Sequence, residues 1–305
     1  MWHEPCRFAT IDAQGQPVID HPPPGYPSSI ENYVALTAAQ YELGSLILTV
    51  SYGALFAFTV YFLASATQLA PRYRIVPVLS AVIMLSSGFS LLREASLWQD
   101  VYSFSEGLYR PFSEGNTFSN VFRYGNWLIT TPILLTQLCI AFGLSRSALH
   151  RRAARMIVAT ALMIATGMYG QYGESGDFAR LNLWGVISTV FFVWLLIEVR
   201  GVINAGIASS PDAIKVWPRR LFWFFLATWS LYPIAYALPQ LGATGEIVVW
   251  RQLVFSVADL TTKLVYGIIL SRYLLRRSAL EGYQPAQEAL DTRPEASAIA
   301  SANKD

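Results

Sequence analysis

Seven apolar runs of roughly twenty residues recur along this chain, and they constrain its fold more than any other feature. They fall near 40–66, 74–98, 118–143, 152–172, 180–200, 219–241 and 250–275. As helices rising about 1.5 Å per residue, all seven are long enough to cross about 30 Å of hydrocarbon. The polar links between them are too short to give a soluble bundle its surface. Hydrophobic residues make up 53% of the chain and charged residues 14%, well under the rough quarter charged in soluble domains. The sequence therefore reads as an all-α membrane protein, a seven-transmembrane-helix bundle.

Basic residues set its orientation. The links after the first, third and fifth runs carry Arg72 and Arg74, then Arg146, Arg151, Arg152 and Arg155, then Arg200, Lys215, Arg219 and Arg220. The chain leaves the last run with Arg272, Arg276 and Arg277, whereas the alternate links hold only Arg110, Arg180 and Arg251. The positive-inside rule then puts the N-terminus outside and the C-terminus in the cytoplasm. Residues 1–29, polar and proline-rich, read as an extracellular lead with no cleavable signal peptide. Residues 30–278 form the helical domain, with 30–38 expected as a short helix on the outer surface. Residues 279–305 form a cytoplasmic tail, expected to be mobile from about 280.

Several classes of function are disfavoured. A net charge of +2 with scattered basic residues gives no nucleic-acid face. Cys6 and Cys139 are too few for a disulfide framework, and Cys139 sits in an apolar run. His3, His21 and His150 lie outside the runs with no partner at ligand spacing, so no metal site is expected. No glycine-rich nucleotide fingerprint or intramembrane Ser/His/Asp set is present, and the chain does not read as an enzyme.

Lys263 stands apart. The chain has three lysines, and Lys263 alone falls mid-span. An ammonium in hydrocarbon is costly, so such a residue marks function by default. Asp259 lies one helical turn before it, on the same face. That pair alone fits either a salt bridge that fixes helix packing or a reactive amine with its counter-charge. A lysine in a dry pocket is the residue type that forms Schiff bases with carbonyl compounds. The sixth run reads TWSLYPIAY and presents Trp229, Tyr232, Pro233 and Tyr236, while the third adds Trp127. Together they make a slot for a long, flat, apolar aldehyde, and Pro233 is expected to kink its helix.

RYGNWLITTPILLTQ (123–137), WSLYPIAY (229–236) and ADLTTKLVYG (258–267) together resemble the third, sixth and seventh helices of the microbial (type-1) rhodopsins. The resemblance covers nearly all of residues 30–290. It implies all-trans retinal attached to Lys263 as a protonated Schiff base, with Asp259 as counterion. It also implies a retinal pocket of Trp127, Thr131, Ser188, Trp229, Tyr232, Pro233 and Tyr236. Leu134 falls where that family tunes colour, and its apolar side chain implies green absorption.

Proton pumps of that family use a carboxylate at the position of Asn126 and often another at that of Gln137. Neither amide, nor the Thr130 hydroxyl, titrates near neutral pH. With Asn126 there, Lys263, Asp259 and Arg123 leave the site one negative charge short, and a small anion would supply it. The Asn126, Thr130 and Gln137 triplet resembles the chloride-pumping branch, as does SALEGYQPAQEAL (278–290). The expectation is a light-driven inward chloride pump with Arg123, Asn126 and Thr130 binding the anion and Gln137 on its cytoplasmic path. A sodium-pumping branch is also similar in ADLTTK and GQYGE, but carries an aspartate where Thr130 stands. Sodium or proton pumping, a photosensor and a light-gated anion channel are the alternatives.

Other polar residues carry weaker expectations. Arg93 reads as an interfacial residue that snorkels, with anion gathering outside as the alternative, and Glu94 points about 100° away and is not expected to pair with it. Glu42, Glu174 and Arg251 read as polar residues near the outer surface, with an outer gate or a subunit contact as the alternative. Glu198 reads as solvated. Gly185 stands where relatives carry a bulky aromatic, which admits a carotenoid antenna or simple helix packing. A homo-oligomer in the lipid of a bacterial inner membrane is the expected setting.

Overall fold

Thr37 opens the first span with a reciprocal cap: its hydroxyl accepts from the Gln40 backbone N–H while the Gln40 side chain accepts from the Thr37 N–H. The computed structural model describes residues 29–111 and 117–291, together with the strand pair β1 (Thr10–Ile11) and β2 (Pro17–Val18). Five spans are α1 (Ala38–Ser65), α2 (Ile75–Val101), α3 (Val121–Ala141), α4 (Arg146–Gln171) and α5 (Phe178–Ser209). Between α2 and α3 lies a hairpin of β3 (Tyr102–Ser105) and β4 (Leu108–Pro111). The chain forms a seven-helix bundle of the membrane type.

The sixth span is broken and the seventh is distorted, each at a residue the sequence singles out. Pro233 has no N–H for the Trp229 carbonyl, and the helix divides at Ser230 into α6 (Val216–Trp229) and α7 (Leu231–Ala237). The seventh span runs as α8 (Gly245–Asp259), a π-helical stretch over Leu260–Val265, and α9 (Tyr266–Leu280). Lys263 lies within the π stretch, a distortion that tends to fall at functional positions.

Among the described residues, six helices with their short extensions are long and apolar enough to cross a membrane. The third span is not one of them. Arg123, Asn126, Thr130, Thr131 and Gln137 lower its hydropathy, yet all five are buried inside the bundle. Large apolar residues such as Leu46, Val60, Val186 and Ile197 are exposed on its outside, as lipid contact requires.

Helix contacts are close enough that small residues matter. A Cβ on Gly44 would stand 2.3 Å from the Trp98 ring, so the α1–α2 approach depends on the missing side chain.

Three surface expectations are corrected. The segment after residue 29 is not a helix lying on the outer surface. A 3-10 turn, Ile30–Asn32, is buried with Val34 and Leu36 over the end of the bundle. The tail continues as α10 (Gln284–Asp291), with Ala286 fully buried against the bundle; residues 292–305 and most of 1–28 lie outside the described residues. Glu198 is buried rather than solvated, because Arg152 and Arg155 both pair with it, at 2.5 and 3.4 Å.

Candidate functional site

Two antiparallel requirements meet at Asp259: a buried carboxylate must find donors, and a buried lysine must find an acceptor. Lys263 donates to Asp259 Oδ1 one turn away. Trp127 Nε1 and Tyr232 Oη donate to the same oxygen at 3.1 and 2.9 Å. Arg123 Nη1 reaches Oδ2 at 3.1 Å. Asp259 therefore accepts from four donors on three spans, and both it and Lys263 are buried.

Lys263 opens into a cavity of about 240 Å³. Trp127, Thr131, Ser188, Trp229, Tyr232, Pro233 and Tyr236, the seven residues expected at the pocket, all line it, and so do Leu134 and Thr130. Met163, Ile164 and Gly167 form the α4 wall, which sequence reasoning missed. Nothing in the α4 sequence sets these residues apart from ordinary packing residues. Gly185 also lines the cavity, where a Cβ would stand 3.0 Å from the Tyr236 ring.

The three polar residues of α3 are not gathered at one point. Asn126 Nδ2 donates to Ser86 Oγ at 2.8 Å and its Oδ1 accepts from Ser87 Oγ at 3.0 Å. The Thr130 hydroxyl donates to the Asn126 carbonyl at 2.9 Å. Gln137, two turns further, donates to the Val76 carbonyl and to Ser80 Oγ.

The expected deficit of one negative charge is corrected here. Glu94 is fully buried on α2, and its Oε2 lies 3.5 Å from Arg123 Nε. Glu94 thereby sets a second carboxyl group against Arg123, beside Asp259. Sequence reasoning missed this because Glu94 and Arg123 belong to different helices. The lone acidic residue inside the second apolar run was the available signal.

Beyond Arg123 the polar chain continues toward the predicted outer face. Arg123 Nη2 donates to Gln252 Oε1 at 2.8 Å, and Gln252 Nε2 donates to Glu31 Oε1 at 2.8 Å. Arg251 pairs with Glu31 at 3.2 Å and with Glu174 at 2.5 Å, and all three are buried. Glu174 and Arg251 are thus not surface residues. Burial pushes the Glu174 carboxyl up to about 7, against the opposing pull of Arg251.

A multi-pass helical bundle with a buried lysine opening into an aromatic cavity defines a class of membrane proteins able to hold an apolar ligand on that amine. The sequence profile of the bacteriorhodopsin-like protein family matches residues 42–276, and the chain belongs to that family of microbial rhodopsins. It is 31% identical over 149 residues to a bacteriorhodopsin-II-like protein of Haloquadratum walsbyi, covering 48% of this chain and 58% of that one. It is 30% identical over 172 residues to bacteriorhodopsin-I of the same species, covering 56% and 64%. The matched stretch thus spans less than two thirds of these relatives' own length. Xanthorhodopsin, described as a light-driven ion pump with dual chromophore, superposes with a TM-score of 0.75 at 30% identity, over 82% of this chain and 99% of that one. A thermophilic rhodopsin gives 0.76 at 29% identity over the same shares.

Rhodopsins of this family bind a retinal chromophore. The residues present fit it: an apolar, aromatic-walled cavity receives a buried primary amine, and an apolar aldehyde is the ligand that both demand. Among the described residues the buried Trp229 Nε1, on the cavity wall, has no hydrogen-bond partner.

Proposed function

We propose that this protein is a light-driven pump that moves halide, chiefly chloride, inward across the membrane, with retinal carried on Lys263 and Asp259 as its counterion. One observation carries the reading. Among the described residues Asp259 is the carboxylate that touches Lys263, and it is already held by four donors, while α3 offers Asn126 and Thr130 and carries no carboxylate. Among the described residues no second carboxylate of the kind an outward proton pump uses as acceptor stands beside the amine.

Retinal bound at Lys263 supplies the absorption of light and the change of shape that power transport. The remaining work falls to the chain. Arg123 attracts the anion from the predicted outer side. Asn126 Nδ2 and the Thr130 hydroxyl hold it, by turning from the protein acceptors they now engage. Gln137 and Ser80 pass it toward the cytoplasm. Trp127, Thr131, Ser188, Trp229, Tyr232, Pro233 and Tyr236 keep water from the amine and fix the chromophore's orientation. The N-terminus outside, a homo-oligomer and a bacterial inner membrane complete the proposal. A carotenoid antenna at Gly185 rests on the missing side chain in the cavity wall; energy transfer from added carotenoid to retinal tests it.

A second reading, a light-driven cation pump, draws on Glu94, which balances the site without an anion. Thr130 counts against it for sodium, because that ion favours negatively charged oxygen ligands. Voltage-clamped membranes discriminate the two. The halide pump gives an outward photocurrent that persists against the chloride gradient and vanishes in sulfate. A current that follows sodium and ignores chloride replaces the first reading with the second.

A further inference from the structure

Glu94 is fully buried, and among the described residues neither of its oxygens accepts a hydrogen bond. Arg123 Nε, its ion-pair partner at 3.5 Å, has no hydrogen-bond partner among them either. The charged groups that face Glu94 are Arg123 on α3, Asp259 and Arg251 on α8, and Glu31 on the 3-10 turn. Within the inner set, Lys263 and Arg123 balance Asp259 and Glu94. A halide entering beside Lys263, Asn126 and Thr130 adds one negative charge to that set. A buried, uncompensated charge is costly, so one carboxylate must give up its own. Asp259 is held by four donors and Glu94 by none, so neutralising Glu94 sacrifices the least.

We propose that Glu94 is a proton-binding site coupled to the halide site. One proton from the outer aqueous side forms an O–H bond on the Glu94 carboxylate as a halide enters, and that bond breaks, returning the proton, as the halide leaves. The inference rests on the halide-pump reading. It makes the resting affinity for halide depend on pH. Where Glu94 is ionised before binding, each unit of pH weakens the apparent affinity up to tenfold, as linkage to one proton requires.

The test uses the full-length, retinal-loaded protein in detergent, titrated with sodium chloride against sodium sulfate from acid to alkaline pH. Chloride affinity is read from the shift of the visible absorption band. Proton uptake is read with an indicator dye in weakly buffered solution. About one proton should enter per chloride near neutral pH. E94Q should bind chloride with an affinity independent of pH and take up no proton, whereas E174Q should keep the uptake. E94D, which retains a titratable group, should restore uptake with a displaced pH midpoint and serves if E94Q does not fold. Chloride binding without proton uptake in the wild-type protein, or uptake that survives E94Q, overturns the assignment to Glu94 and leaves the halide reading standing. If chloride shifts the band at no pH in any form, the halide reading itself fails.

Discussion

Arg123 bridges Asp259 and Glu94: its Nη1 lies 3.1 Å from the first carboxylate and its Nε 3.5 Å from the second. One guanidinium thus joins the pair at the lysine to a carboxylate on a different helix. Through Gln252 it also reaches the Glu31, Arg251 and Glu174 cluster. The charge at Lys263 is therefore part of a continuous polar chain toward the predicted outer face.

Lys263→Ala removes the amine and leaves the cavity walls in place. Reconstitution with retinal should then give no visible absorption band, while circular dichroism keeps its helical signal. A visible band of wild-type intensity would place the attachment elsewhere.

Thr130→Asp puts a carboxylate beside the proposed anion position. Like charges in a buried site repel, so chloride-dependent photocurrent should fall at least tenfold. Unaltered chloride currents in this variant would remove Thr130 from the path.

Arg251→Ala leaves Glu31 and Glu174 buried without their shared cation. Removing one partner of a buried ion pair costs about 3–5 kcal/mol, so the midpoint of thermal unfolding should drop by several degrees or more. An unchanged midpoint would mean that the cluster is hydrated in the membrane.

Glu174 should make stability depend on pH. Its folded-state pKa is raised to about 7 from an ordinary 4.5, chiefly by burial. The folded state then binds more protons than the unfolded state between those values, and stability falls as pH rises through that window. Its contribution is fully present below about pH 4.5 and lost above about pH 7. E174Q should flatten that part of the wild-type profile in thermal melts from pH 4 to 8; an identical slope in both proteins would contradict it.

What the sequence made legible was local. Apolar runs place the spans, a mid-span lysine marks the site, and Pro233 marks a helix break that falls three residues earlier, at Ser230. TWSLYPIAY indicates an aromatic wall because helical spacing alone puts those rings on related faces. Pairings across the fold were not legible. Glu31, Glu174 and Arg251 come from three distant segments, and each alone resembles an ordinary polar residue at a membrane surface. Glu94 beside Arg93 has the same ambiguity: Arg93 is exposed over the Phe122 ring, while Glu94 turns inward to Arg123. A hydropathy pattern records which residues sit in apolar runs. Rotation of one helix against another decides which charges meet.

The most direct test of halide transport follows external pH while cells carrying the retinal-loaded protein are illuminated in unbuffered salt, with and without a protonophore. Inward chloride pumping predicts alkalinisation that grows with the protonophore, is the same in sodium and potassium chloride, and vanishes in sulfate. Acidification abolished by the protonophore, or a signal that follows sodium and persists in sulfate, would contradict it.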